Sequence, residues 1–443
     1  MTDRKFTKLF RQLSDHGMVL VLALLCVAFS LLTFREYHPT GAVPAQELAA
    51  AIVRDFGASA RVIVVRGLTP EDEAFADTLK AELTAAGASV MSVVKPADAA
   101  AALRALAKKG GQLDVIAGNH ASTSLLSEDD VSHSDAFPAP AIVTPPSYWW
   151  PTFLQVSNFR NIANQIAVIA IVAVGMTLVI ITGGIDLSVG SQIGLAAVVA
   201  ALLIRDSFGA LQATVLGMIL ACLAGIAVCG LIGLFSGVMI TAFRVPPFIV
   251  TLAMMWAVRG LANILAKGQS VYQIPESFVW LGRGADLLTI PNAVMLMLVL
   301  YGLAHVLMSR MTLGRYIYSV GGNKEAARLS GVPVQGVLLF AYTSCGLLAG
   351  LGGIILASQQ KSAEPSYGQT YELSVIAAVV VGGTSLSGGE GRILGTLIGA
   401  FIIAVIQNGM NMMGIGIYPQ MVVFGLVILG AVLLDGLKRR ESK

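Results

Sequence analysis

The sequence predicts an α-helical polytopic membrane protein of about ten transmembrane helices with glycine-broken segments, carrying a small α/β domain inserted after the first helix. Three observations predict it. Hydrophobic residues make up 56% of the 443 residues and charged residues only 12%, with a mean hydropathy of +0.76, beyond what soluble globular chains carry. Apolar runs of membrane-crossing length recur along the chain, since a helix needs about 20 apolar residues to cross the hydrocarbon. One stretch, residues 35–150, breaks the pattern: it holds 14 of the 26 acidic residues and nine basic ones, a local net charge of −5.

Residues 1–34 combine a basic start (Arg4, Lys5, Lys8, Arg11) with the first apolar run at 17–34. A cleaved signal sequence is the competing reading, because Thr40-Gly41-Ala42 offers small residues to a peptidase. Eighteen apolar residues are long for a signal core, and the charge count given below needs this helix to stay.

Residues 35–150 read as a soluble βαβαβ layer. RVIVV at 61–65, SVMSVV at 89–94 and LDVIAG at 113–118 are short buried strands, and 70–86 and 97–109 have alanine-rich helical periodicity. Thr69-Pro70-Glu71-Asp72 starts the first of these helices with a capping hydroxyl, a proline in the first turn and acids facing the dipole. Gly87 ends it. Asn119-His120 follow the third strand, where open α/β sheets bind ligands, but a plain loop is the favoured reading there. The proline-rich stretch 136–150 reads as a linker ending in an interfacial anchor of Tyr148, Trp149 and Trp150.

Residues 151–443 hold the remaining apolar runs and read as the membrane core. Further spans lie near 161–182, 187–204, 209–235, 248–266, 291–308, 337–357, 373–390, 394–412 and 419–435. An even number of spans puts both termini on one side. Basic residues then divide 14 to six in favour of the side holding the termini, which the positive-inside rule makes cytoplasmic. The expected location is a bacterial inner membrane, with both termini cytoplasmic and 35–150 on the outer face.

Two polar interruptions carry the function. GGIDLSVG at 183–190 and GGTSLSGGEG at 382–391 break apolar surroundings, and freed backbone groups or a charge at membrane depth are costly unless they face protein or water. Paired breaks of this kind mark a substrate region where two halves meet. Gly183, Gly184, Asp186 and Ser188 are therefore pathway candidates, with Asp186 open to three roles: pathway group, N-cap of the helix beginning at 187, or anchor of the turn. Cys26, Cys222, Cys229 and Cys345 lie in apolar runs and read as packing residues, and the five histidines lack metal-ligand spacing. Met254, Met255 and Trp256 suit core packing more than a gate, and Gly346, Gly350 and Gly353 suit close helix approach.

The stretch 314–333, GRYIYSVGGNKEAARLSGVP, sits inside a cytoplasmic loop spanning 309–336 and has a short helical centre near Glu325 to Leu329. It resembles the cytoplasmic coupling loop of ABC-type permeases of the ribose/xylose/galactose (monosaccharide) importer family. GMTLVIITGGIDLSVGS at 175–191, PPFIVTLAMMWAVRGLA at 246–262 and VVVGGTSLSGGEGRILGTLIGA at 379–400 resemble the same family, in family order. The resemblance implies a monosaccharide import subunit that works as a dimer with a second copy or a paralogue. It further implies a separate ATP-binding subunit on the coupling loops and an extracytoplasmic substrate-binding protein, with no nucleic acid involved. The coupling loop then assigns Gly322, Asn323, Glu325, Ala326, Arg328 and Gly331 to the ATPase contact. Asn164 and Gln165 in the second span and Gln407, Asn408 and Asn411 in the ninth are amides that either join helices or meet sugar hydroxyls. Residues 35–150 stand where these permeases have a short outer loop, so the resemblance says nothing of them.

No GxxxxGK[ST] occurs, and Gly321-Gly322-Asn323-Lys324 lacks both its spacing and its hydroxyl. The chain is therefore expected to hold no cofactor of its own and to be no enzyme, with ATP and Mg bound by the partner ATPase. A stand-alone secondary transporter or channel is the alternative; it would place several ionisable groups inside its spans, whereas Asp186 and Glu390 fall at span ends and Arg259 near the outer boundary. A sensor would need a cytoplasmic output domain larger than any inner loop here.

Overall fold

A computed structural model describes residues 17–108, 112–126, 140–286 and 289–441. Arg4, Lys5, Lys8, Arg11 and Lys443, and the start of the expected linker at 136–139, lie outside the described residues. The chain divides into two compact units, Phe34–Thr152 and the combination of Met1–Thr33 with Phe153–Lys443.

The smaller unit is built on a four-stranded parallel sheet. Strand β1 (Phe34–Tyr37) and helix α1 of the other unit (Gly17–Leu32) come first in the chain, followed by α2 (Ala42–Phe56), β2 (Arg61–Val65), α3 (Pro70–Ala85), β3 (Ser89–Val94), α4 (Pro96–Lys108), β4 (Val115–Gly118) and the one-turn α5 (His120–Thr123). Then come β5 (Ala141–Val143) and β6 (Tyr148–Pro151). The sheet order is β3-β2-β4-β5, all parallel. Both faces of β2 are covered, as a parallel sheet requires. Val62 and Val64 pack with Leu48 and Ile52 of α2 and Phe75, Leu79 and Leu83 of α3, while Ile63 and Val65 pack with Leu113 and Ile116. Helix α3 starts with a reciprocal capping box between Thr69 and Asp72.

Two features differ from the sequence reading. Helix α2 and strand β5 are additional elements, the latter inside the supposed linker. Tyr148–Pro151 is a strand paired antiparallel with β1, in the register Phe34↔Pro151 to Tyr37↔Tyr148. Aromatic cross-strand pairs account for this ribbon: Phe34 stacks on Trp149 at 6.0 Å and Tyr37 meets Tyr148 edge-on at 5.4 Å.

The larger unit is helical: α6 (Val156–Ile181), α7 (Val189–Asp206), α8 (Val215–Ala242), α9 (Pro247–Ala266), the one-turn α10 (Trp280–Arg283), α11 (Asn292–Arg310), α12 (Thr312–Gly322), α13 (Lys324–Leu329), α14 (Val334–Gln360), α15 (Tyr371–Val381), α16 (Ile393–Met412) and α17 (Ile417–Glu441). Seven of them (α6, α7, α8, α9, α11, α14 and α16) are long and apolar enough to cross a membrane. Helix α6 is the hub, buried along most of its length, and α14 packs beside it through Cys345, whose Cα leaves no room for a side chain at Gly175.

Of the about ten expected spans, the remaining three are shorter apolar helices among the described residues, Gly17–Leu32, Tyr371–Val381 and Ile417–Leu433. The expected span at 373–390 stops at Val381. Its 11 residues reach only about 16 Å, half the hydrocarbon thickness, because the second glycine break ends it.

Candidate permeation site and coupling helix

Both breaks begin with the same local structure. Helix α6 ends at Ile181 with Thr182 as its C-cap; Gly183 takes φ +79° and donates to the Ile180 carbonyl at 2.9 Å, and Gly184 donates to Val179 at 3.1 Å. Helix α15 ends at Val381 with Gly382 as its C-cap; Gly383 takes φ +83° and donates to Val380 at 2.9 Å, and Thr384 donates to Val379 at 3.1 Å. This is the Schellman pattern, in which a left-handed glycine satisfies the last carbonyls of a helix.

The two breaks meet each other. The Gly389 amide donates to the Ile181 carbonyl at 2.9 Å, and Gly388 and Gly389 both need positive φ to turn there. The end of α12 completes the junction. Gly321 lies so close to the Ile181 carbonyl and the Gly389 amide that a side chain has no space, and the Tyr318 hydroxyl donates to the Gly391 carbonyl at 2.7 Å. Gly183, Gly322, Gly383 and Ser387 are exposed, so this junction lies at the surface of the unit.

Asp186 is fully buried and anchors the first break. Its Oδ1 accepts from the Ser188 amide at 2.9 Å and the Ser188 hydroxyl at 2.6 Å, and Gln192 Nε2 donates to the Ser188 hydroxyl at 2.8 Å. Ser188, not Asp186, occupies the N-cap of α7. Asp186 Oδ2 meets no hydrogen-bond partner among the described residues. The buried Tyr342 hydroxyl, also without a hydrogen-bond partner among the described residues, lies over Gly184.

A separate cavity of about 140 Å³ lies among α6, α15, α16 and α17. It is smaller than the ~300–1,000 Å³ of typical ligand pockets. Gln165, Thr370, Tyr371, Ser374, Gln407 and Gln420 supply its polar lining, and Ile166, Ile169, Met421 and Phe424 part of the apolar wall. The first turn of α15 opens onto it.

Of the five amides singled out from sequence, the structure brings only Gln165 and Gln407 to this cavity. Asn164 donates to the Gly282 carbonyl at 3.1 Å, Asn408 donates to Asn158 at 2.9 Å, and Asn411 accepts from Gln420 at 2.7 Å. These three tie elements together. Gln165, which is exposed, and Gln407, which is half-buried, make no hydrogen bond among the described residues. Gly183, Gly184, Asp186 and Ser188 do not line the cavity, because the break they form is consumed by contacts with the second break and α12.

Thr370, Tyr371, Ser374 and Gln420 escaped the sequence reading, as did Tyr318 and Gly321. Pro365 and Gly368 in KSAEPSYGQT were the available signal, a third interruption between apolar runs. This segment is pinned by Arg259, which donates to the carbonyls of Pro365 at 2.8 Å and Tyr367 at 3.3 Å. Glu372, in the first turn of α15, also went unnoticed; its Oε2 is buried beside Gly190 with no hydrogen-bond partner among the described residues.

Helix α13 carries the expected coupling residues. Asn323 caps it, accepting from the amides of Glu325 and Ala326 at 3.0 Å each. Glu325 and Arg328 pair at 3.1 Å on its exposed side, Ala327 is buried beneath, and Leu329 is 84% exposed. Gly331 turns the chain with φ +81°.

A bundle of apolar helices with broken segments, a small polar cavity and an exposed loop helix defines a multi-pass membrane permease. The chain belongs to the family described as branched-chain amino acid transport system / permease component, whose model matches residues 158–432. It is similar to the ribose import permease protein RbsC of Escherichia coli (strain K12), 44% identical over 293 residues, 65% of this chain and 88% of that protein. RbsC of Bacillus subtilis (strain 168) is 43% identical over 64% of this chain and 86% of its own length. The L-arabinose ABC transporter permease protein AraH of Azospirillum brasilense is 36% identical over 66% and 84%. No solved structure matches the chain. The unit Phe34–Thr152 falls outside the residues matched to the family.

Proposed function

We propose that this chain is the transmembrane permease subunit of an ATP-driven ABC importer, translocating a monosaccharide or similar small polar solute across the inner membrane. The observation that carries the reading is the similarity to ribose and arabinose permeases across nearly their whole length, set beside a cavity holding two uncommitted amides. Neutral sugars need hydrogen-bonding groups that carry no charge, and glutamine amides with serine, threonine and tyrosine hydroxyls are such groups.

In this reading α13 docks a separate ATPase subunit that binds ATP and Mg, through Gly322, Asn323, Glu325, Ala326, Arg328 and Gly331. Exposed Leu329 is added as an apolar anchor. Ala326 permits close approach and the Glu325–Arg328 pair fixes orientation. The distribution of basic residues supports cytoplasmic termini and a cytoplasmic α13, with residues 35–150 outside. An extracytoplasmic binding protein delivers the solute, and two permease copies or a permease and a paralogue enclose the path. Gln165 and Gln407 contact the solute; Gly183, Gly184, Asp186 and Ser188 act on the path indirectly, by shaping the break.

The test is co-purification of the ATPase subunit with the detergent-solubilised chain. The intact chain is expected to retain it, and the Glu325→Ala, Arg328→Ala double variant to lose or weaken it. A folded chain that retains no ATPase in either form would instead favour a stand-alone secondary transporter or channel.

A further inference from the structure

We infer that Tyr318 and Gly321 form a rigid clasp through which movement of α13 reaches the two cavity glutamines, which makes them positioning residues for coupling. The inference rests on the ABC reading given above.

Asn323 is at once the last cap of α12 and the first cap of α13, so no flexible linker separates the two helices. Helix α12 is itself seated in the unit by buried Gly314, Ile317 and Val320. At its end, Gly321 meets the Ile181 carbonyl and the Gly389 amide as backbone against backbone. No rotamer change can absorb a displacement at such a contact, because there is no side chain to turn, and close-packed interiors transmit strain. Three residues earlier, the Tyr318 hydroxyl holds Gly391 at 2.7 Å, two residues before α16 begins. The Gly389 amide meanwhile holds Ile181, the last residue of α6, at 2.9 Å.

The clasp therefore grips the end of α6 and the start of α16 together. Those two helices carry Gln165 and Gln407. From Ile181 to Gln165 is about 24 Å along the helix, and from Ile393 to Gln407 about 21 Å, at 1.5 Å per residue. A shift of α12 thus displaces two rods of nearly equal length whose far portions face one cavity. This placement assigns the glycine breaks a mechanical role, as hinges gripped from the α13 side, where the sequence alone suggested a lining role.

The experiment reconstitutes the full chain with its ATPase subunit and binding protein in proteoliposomes, and measures solute uptake and ATP hydrolysis together. Tyr318→Phe removes one oxygen and Gly321→Ala adds one methyl; Tyr316→Phe, half-buried on the same helix, is the control. In Tyr318→Phe the ATPase stays bound and hydrolyses ATP, but uptake per ATP falls about fivefold, the effect of one lost hydrogen bond on the coupled state. Gly321→Ala falls further, and the control matches the wild type. Unchanged uptake per ATP in Tyr318→Phe overturns the inference, whatever Gly321→Ala does to folding. Loss of ATPase binding in Tyr318→Phe also overturns it, because the residue would then serve docking. If the wild-type chain binds no ATPase, the ABC reading itself fails, and the clasp falls with it.

Discussion

Gln165 and Asn164 are neighbours in sequence and opposites in use. Asn164 spends its side chain on the Gly282 carbonyl, and its own backbone carbonyl accepts from Gln359 at 2.9 Å; Gln165 spends nothing. Residue type alone marks both as costly in an apolar helix, but commitment is a property of neighbours more than a hundred positions away, which no local pattern reveals. The same holds for Gln407 against Asn408. Two outcomes follow. Gln165→Ala and Gln407→Ala each raise the half-saturating solute concentration for uptake roughly fivefold, with the melting temperature unchanged, since one solute hydrogen bond is lost. Asn164→Ala lowers the melting temperature in detergent and leaves half-saturation near the wild-type value. Equal effects of all three on stability alone would remove the glutamines from the path.

Helices are the scale at which the sequence was most legible. Double glycines at 183–184 and 383 with its neighbour 382 mark helix ends because only glycine takes the left-handed conformation without strain. What the letters did not disclose is where the freed groups go: each break satisfies its carbonyls in a Schellman turn, and the two then bond to each other. A lipid-facing break was the costly case, and the fold avoids it by pairing. Gly183→Ala is accordingly expected to cost about 1 kcal/mol through its φ alone, since no atom crowds the position, and to lower the thermal midpoint in detergent. Gly184→Ala is expected to cost more, because its side chain would meet the Tyr342 hydroxyl. If Gly183→Ala is neutral, the turn adapts and the pairing of breaks is looser than described. The third interruption, 361–370, stayed hidden because it is polar without a doubled glycine and reads as an ordinary outer loop.

At the scale of the whole molecule, the α/β unit carries a pH dependence of its own. In the α/β unit the Asp114 carboxyl is held below the ordinary aspartate value of 3.8, chiefly by hydrogen bonding to Arg61, with which it pairs at 2.9 Å. Burial pushes the Asp72 carboxyl up, but bonds from Thr69 and Asn119 outweigh it and hold it below as well. Both groups bind protons more tightly in the unfolded chain. Their contribution is therefore complete above pH 3.8 and lost as the pH falls further through their folded values. The thermal midpoint of this unit in Asp114→Asn should lie below wild type at neutral pH and converge with it in acid; the gap is modest, because the pair is about a third exposed. A gap that widens in acid would contradict the sign. At this scale the stretches that form β2, β3 and β4 were legible, because the periodicity changes abruptly there and the charge pattern with it. The β1–β6 ribbon was not, since pairing between residues more than a hundred apart leaves no local trace.

That ribbon has an architectural consequence. Phe34 and Pro151 are partners in register, so the first and last strands of the α/β unit bring its entry and exit about 5 Å apart. Just outside, Thr33 and Phe153 are already joined, the Phe153 amide donating to the Thr33 hydroxyl at 3.2 Å. More than a hundred residues thus enter and leave the permease through a doorway that one or two residues would bridge. With the unit excised, a link of one or two residues would leave α1 and α6 at the spacing they have now.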